Sequence, residues 1–220
     1  MNPAFYYDGH YLNVADQVKT YLNDQADFLS TKTVRSPRAV GDALEGMVAS
    51  TFDVFLQGFC KEYSKEFARG AMANLAFIDS EDFYIVVDIK THRADTEFNM
   101  PNLTSVERIS RFYESEKNVF SLLMIKYRIE NLKVIVTDVT FAPIEFLDWS
   151  CLTLGALGWG QIQIKNSDNI TINHGYPRKV WMIQLCDLLI DIFYPKEILK
   201  IEGRIVRFEK IREFWPNKSD

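Results

Sequence analysis

"NLAFIDSEDFYIVVDIKTHR", residues 74–93, is the stretch on which the reading of this chain turns. Two runs rich in Phe, Ile, Val and Tyr, 74–79 and 83–89, flank the acidic turn "DSED" and predict a hairpin of two strands. Side chains at i and i+2 of a strand share a face, so Asp88 and Lys90 project side by side. Asn74 falls on the neighbouring strand, within reach of the same point. An Asp-x-Lys at a strand end is commonly no more than a solvated edge, so its meaning depends on what surrounds it.

Upstream, Leu44, Val48, Phe52, Phe55 and Phe59 recur at three- and four-residue intervals and predict a long helix from about Asp42, with Asp42 as its N-cap. That helix carries Glu45, which alone would read as an ordinary surface glutamate. Before it, "STKTVRSPRAVG", residues 30–41, reads as a polar, basic loop punctuated by Pro37 and Gly41. Residues 10–29 carry Leu12, Val14, Val18 and Leu22 near helical spacing and predict an N-terminal helix. Downstream, "MPNLTSVERISRFYES" reads as a helix opening after Pro101. "VFSLLMIKYRI" and "KVIVTDVTF" read as core strands, "GQIQIKN" as a short alternating strand, and "PRKVWMIQLCDLLIDIFY" as a closing amphipathic helix. The sum is an α/β chain with a mixed central sheet flanked by helices. It is expected to be one domain over 1–220, with a helical arm at 1–30 and a helical tail at 195–220.

Hydrolysis of a phosphodiester needs an activated water and neutralisation of the charge that develops on phosphorus, and a divalent cation serves both. Magnesium takes hard oxygen ligands and keeps several waters, so one or two carboxylates on a rigid scaffold suffice. Asp88 and Lys90 meet that requirement: the acid to hold the cation, the ammonium to orient the water and steady the phosphate.

Taken together, the segments resemble the PD-(D/E)xK nucleases, and within them the HincII/EcoRV-like branch of type II restriction endonucleases. "VGDALEGMV" is similar to that branch's Gly-acid-x-x-Glu helix, and "RGAMANLAFIDSEDFYIVVDIKTHR" to its catalytic hairpin. "FNMPNLTSVERI", "LGWGQIQI" and "YPRKVWM" resemble its Pro-Asn segment, its late strand and its Arg/Trp helix. The likeness runs over residues 31–194 and leaves the first thirty residues and the tail uncovered. It implies a restriction-endonuclease-like fold, with Asp88 and the Ile89 carbonyl as ligands of Mg²⁺ (or Mn²⁺), Lys90 beside the attacking water and Glu45 as an accessory helix acid. Asn74 stands where the family carries its first aspartate, and this is the departure. Asp79 is a poor replacement, because it lies near the turn, away from Asp88.

For double-stranded DNA, phosphate contacts call for Lys, Arg and polar amides, and base reading for groups that fit a groove edge. Lys32, Arg35 and Arg38 before the Glu45 helix, and Thr91, His92 and Arg93 after the lysine, are candidates, as is Asn102 by the resemblance. Gln161 and Gln163 share one strand face, with Lys165 and Asn166 at its end. The net charge of −5 does not advertise a nucleic-acid binder, although an acidic centre with a basic rim averages out in such a sum. Gly155, Gly158 and Gly160 run in the reverse order of a dinucleotide fingerprint and precede a strand, which excludes that reading. Three scattered cysteines point to a reducing setting, and no apolar run is long enough for a membrane span; the resemblance implies a cytoplasmic protein of bacterial or archaeal type. The expectation is therefore a homodimeric, Mg²⁺-dependent endonuclease. The alternatives are a DNA-binding protein of the same fold with weak or absent catalysis, and an unrelated α/β protein with no nucleic-acid partner.

Overall fold

The structure, a computed structural model, describes residues 2–25, 36–65, 72–96, 100–131 and 133–218. The chain divides into two compact units, Met1–Tyr176 and Pro177–Asp220. The second thus begins well before the tail expected at 195. The first unit contains α1 (Ala4–Tyr7), α2 (His10–Asp24), α3 (Pro37–Leu56) and α4 (Val106–Phe112). Its strands are β1 (Cys60–Ser64), β2 (Leu75–Asp79), β3 (Tyr84–Arg93), β4 (Asn102–Ser105), β5 (Asn118–Glu130), β6 (Lys133–Pro143), β7 (Leu152–Gly155) and β8 (Gln161–Ile164).

Five strands form a mixed sheet in the order β1-β2-β3-β5-β6, in which only β3 and β5 run parallel. The hairpin expected at 74–89 is present as β2 and β3, and the mixed α/β class holds. Side chains alternate across β3 and β5: Ile85, Val87, Ile89, Val119, Leu123, Ile125 and Tyr127 join the main core. Val18 and Leu22 of α2 and Val40, Leu44, Val48 and Phe52 of α3 belong to the same core. Phe52 meets Phe55, Phe77 and Phe141 ring to ring, which ties α3 to β2 and β6. The other face of the sheet, carrying Val86, Phe120, Leu122 and Met124, is buried as well. Asp88, Lys90 and His92 lie on that second face.

Three boundaries depart from expectation for physical reasons. α3 starts at Pro37 rather than near Asp42. Ser36 is its cap, accepting the Ala39 N–H at 3.2 Å, and Pro37 sits where a missing N–H costs nothing. Asn102–Ser105 is strand β4 rather than the opening of a helix, because its backbone pairs with β8. The helix waits for Ser105, which caps α4 by accepting the Arg108 N–H. β4, β8 and β7 make a separate three-stranded antiparallel sheet in that order. The helix expected at 10–29 is α2, preceded by the short α1, and residues 26–29 lie outside the described residues.

The second unit is one continuous helical run: α5 (Arg178–Asp187), a π-helical stretch Leu188–Phe193, and α6 (Tyr194–Phe214). Pro195 in the first turn of α6 cannot donate to the preceding turn, and the widened stretch just before it absorbs that misfit. No residue of α6 is buried. Among the described residues no helix is long and apolar enough to cross a membrane.

The cap of α3 is testable. Ser36→Ala should lower stability by about 1 kcal/mol in a denaturant titration, and Ser36→Asp, which keeps an acceptor, should not.

Candidate active site

β2 stops at Leu75, paired with Val87, while β3 runs on for six residues to Arg93. Beyond that last pair the edge of β3 has no β2 partner, and a backbone N–H left there without an acceptor is costly. Asn74 fills the gap. Its own N–H donates to the Val87 carbonyl at 3.0 Å, and its side-chain Oδ1 accepts the Ile89 N–H at 2.7 Å. Its Nδ2 donates in turn to Glu45 Oε2 at 3.0 Å.

Glu45 reaches this edge because α3 passes close to β3 one turn earlier. A first side-chain carbon at Gly41 would lie 2.6 Å from Thr91 Oγ1, so the bare backbone there sets how near the helix can come. Across the edge, Lys90 Nζ donates to Asp88 Oδ1 at 2.8 Å. Asp88 is buried, whereas the Lys90 side chain keeps 28% of its surface in contact with solvent. The second Asp88 oxygen, Oδ2, is buried and has no hydrogen-bond partner among the described residues.

The electrostatics follow from this placement. Burial pushes the Asp88 carboxyl from its ordinary 3.8 up to about 7; Lys90 opposes the rise and Glu45 adds to it. Burial also raises Glu45, against the pull of Lys90 and the bond from Asn74 and with a push from Asp42. The two carboxyls therefore sense one another and share a single lysine. Asp79, by contrast, closes the hairpin turn at the far end, accepting the Glu81 and Phe83 N–H groups at 2.9 Å each.

A hard dication suits the oxygen donors present: Asp88 with its open oxygen, the Ile89 carbonyl and the Asn74 amide oxygen, with the Glu45 carboxylate beside them. The set is short of charge, since no group of three or more His, Cys, Asp or Glu placed to hold a metal ion occurs among the described residues. The third position is an amide. Even at an effective dielectric of about 20, an additional unit charge about 4 Å from another is worth about 4 kcal/mol.

The candidate DNA contacts separate into groups. Lys32 and Arg35 lie outside the described residues; Arg38 is exposed on the first turn of α3. His92 is not a surface contact. Its ring is 1% exposed and Nε2 meets Asp168 Oδ1 at 3.1 Å, because position 92 falls on the buried face of β3. Thr91 is half-buried, and Arg93 is held by both oxygens of Asp95 at 2.6 and 2.7 Å. Asn102, Gln161 and Gln163 converge on the three-stranded sheet: Asn102 pairs in register with Gln163, and Gln163 Nε2 donates to Asn102 Oδ1 at 2.6 Å. The Gln163 amide lies across Gly155, where a first side-chain carbon would come within 2.8 Å of Oε1. With Thr153 and Ser105 opposite these glutamines, one outward face of the sheet is polar. Lys165 is exposed but donates to the Ser150 carbonyl at 2.9 Å, and Asn166 accepts the Asp168 N–H in a local turn. Asp168 was not visible as a partner of His92, since no short-range pattern links positions 76 residues apart.

Compared with known proteins, no family model and no curated protein matches this chain.

The raised Asp88 pKa has a direct consequence. The folded carboxyl holds its proton to about pH 7 while the unfolded one releases it near 3.8, so the contribution of Asp88 to stability is greatest below that value and falls as pH rises toward 7. The loss is at most about 4 kcal/mol, and Asp88→Asn should flatten it in urea titrations run across that window. An unchanged slope in Asp88→Asn would mean that the carboxyl is not the titrating group.

Proposed function

We propose that the chain is a type II restriction endonuclease. It would hydrolyse phosphodiester bonds in both strands of a specific palindromic double-stranded DNA site with Mg²⁺, or Mn²⁺ in its place, leaving 5′-phosphate ends. The observation that carries the reading is the convergence of Glu45, Asn74, Asp88 and Lys90 at the open edge of β3. Asp88, the Asn74 amide oxygen and the Ile89 carbonyl are the groups that would hold the cation. When bound, it supplies charge neutralisation at the phosphate and acidifies the attacking water. Lys90, partly exposed beside Asp88, orients that water and steadies the phosphate. Glu45 anchors the Asn74 amide.

Arg38 and Lys165 suit phosphate contacts, and the polar face of Asn102, Gln161 and Gln163 suits a groove edge. A palindromic site matches a homodimer with one active site per strand, the two-fold axis of the protein falling on that of the DNA.

A specific observation favours a second reading, a DNA-binding protein of this fold with weak or no catalysis. The Asn74 amide donates to Glu45 and accepts from Ile89, so the edge is satisfied without any cation. An aspartate there would keep the Ile89 bond but set a carboxylate against Glu45, a repulsion that a dication relieves.

Asn74→Asp should therefore lower metal-free stability, recover it with Mg²⁺, and raise Mg²⁺-dependent cleavage by about a hundredfold or more. Lys90→Met should abolish cleavage while DNA binding measured in Ca²⁺ persists with its steep salt dependence. DNA binding without cleavage in both the unsubstituted chain and Asn74→Asp would favour the second reading. No salt-dependent binding at all would remove both.

A further inference from the structure

His92 continues the face of β3 that carries Asp88 and Lys90, and it is almost wholly buried. Nε2 lies 3.1 Å from Asp168 Oδ1, whereas Nδ1 is buried with no hydrogen-bond partner among the described residues. A carboxylate oxygen accepts, so the bond runs from the His92 Nε2–H to Asp168. On the next strand, Lys126 is the register partner of His92, and its Nζ donates to the Asp168 main-chain carbonyl at 3.0 Å. Two adjacent strands of the large sheet thus grip one residue. Asp168 is itself braced, its N–H donating to Asn166 Oδ1 at 2.9 Å, and the neighbouring Ser167 is fully buried. The gripped turn leaves directly from β8, the strand that carries Gln161 and Gln163.

We infer that Asp168, held by His92 and Lys126, is a positioning residue that couples engagement of the Asn102/Gln161/Gln163 face to the alignment of Lys90. The inference rests on the nuclease reading. β3 reaches from Lys90 to His92 in two residues of extended chain, a rigid lever of about 7 Å. A displacement of β8 on binding DNA is passed through the Asp168 carboxylate to that lever, and Lys90 moves with it. Cutting is thereby conditional on correct contacts at the polar face, without either His92 or Asp168 touching the reacting phosphate.

The Asp168 side chain is 55% exposed, so water can take the place of its carboxylate at the His92 N–H when it is trimmed. Asp168→Ala removes the His92 half of the grip and leaves the Lys126 bond to the main-chain carbonyl, and Asp168→Asn keeps an acceptor for His92 while dropping the charge. Both are made in the full chain and in its Asn74→Asp form, and assayed with Mg²⁺ on a random-sequence duplex library. kcat and KM are then measured on the most frequently cut sequence and on its single-base variants. Asp168→Ala should lower kcat on the preferred sequence about tenfold, with KM within about threefold, and should narrow the gap to the variants. Asp168→Asn should retain both kcat and the preference, and melting temperatures should be alike.

Unchanged kcat and preference in Asp168→Ala would overturn the inference while leaving the nuclease reading intact. So would an equal loss in Asp168→Asn, or a loss spread evenly over all sequences. A chain that cuts no DNA with Asp168 intact, in either form, removes the nuclease reading and this coupling with it.

Discussion

The candidate site depends on one backbone N–H. Ile89 sits where β3 has outrun its partner β2, and its N–H would be left at an unpaired edge if the Asn74 side chain did not accept it at 2.7 Å. The requirement that a partly buried N–H find an acceptor thus fixes the orientation of Asn74. Once its oxygen faces Ile89, its amide nitrogen faces Glu45, which draws the helix carboxylate to the strand edge. The closeness of α3 to β3 at Gly41 and Thr91 makes the last contact reachable.

Charge divides the two functional readings more sharply than shape does. An amide and a carboxylate are nearly the same size and accept the same bond from Ile89, so position 74 can hold either without disturbing the hairpin. They differ by a full charge beside Glu45 and Asp88. With the amide, the cluster holds two carboxyls against one lysine, and burial keeps Asp88 protonated up to about 7. A cation, under the nuclease reading, would have to displace that proton before gaining the full attraction of Asp88, which would link metal affinity to pH. With an acid at 74 the excess negative charge would call for the dication outright.

The large sheet and the small one serve different demands. β3 and β5 are buried on both faces, which gives the stiffness that an array of reacting groups would need. The β4-β8-β7 sheet keeps one polar face outward, with Asn102 and Gln163 already joined, and such a face can exchange its internal bonds for bonds to a ligand. The His92 and Lys126 side chains, both bonded to Asp168, tie the large sheet to the turn that follows β8.

Much of this was legible along the chain. The period-two pattern of 74–79 and 83–89 placed Asp88 and Lys90 on one face, and the helical spacing from Leu44 to Phe55 placed Glu45 on a helix, because those periodicities are local consequences of backbone geometry. Boundaries were less legible. Asn102–Ser105 looks like the start of a helix until β8 offers its backbone a ladder, and Pro37 looks like a loop until Ser36 caps the turn it begins. Residue type alone made His92 a surface contact; only strand register, which decides the face a side chain occupies, made it a buried strut bound to Asp168. Local sequence thus determined which residues alternate and which recur. Which strand stops first, which N–H is left over and which distant side chain answers it were decided by the tertiary fold, since each depends on partners many residues away that no short-range pattern encodes.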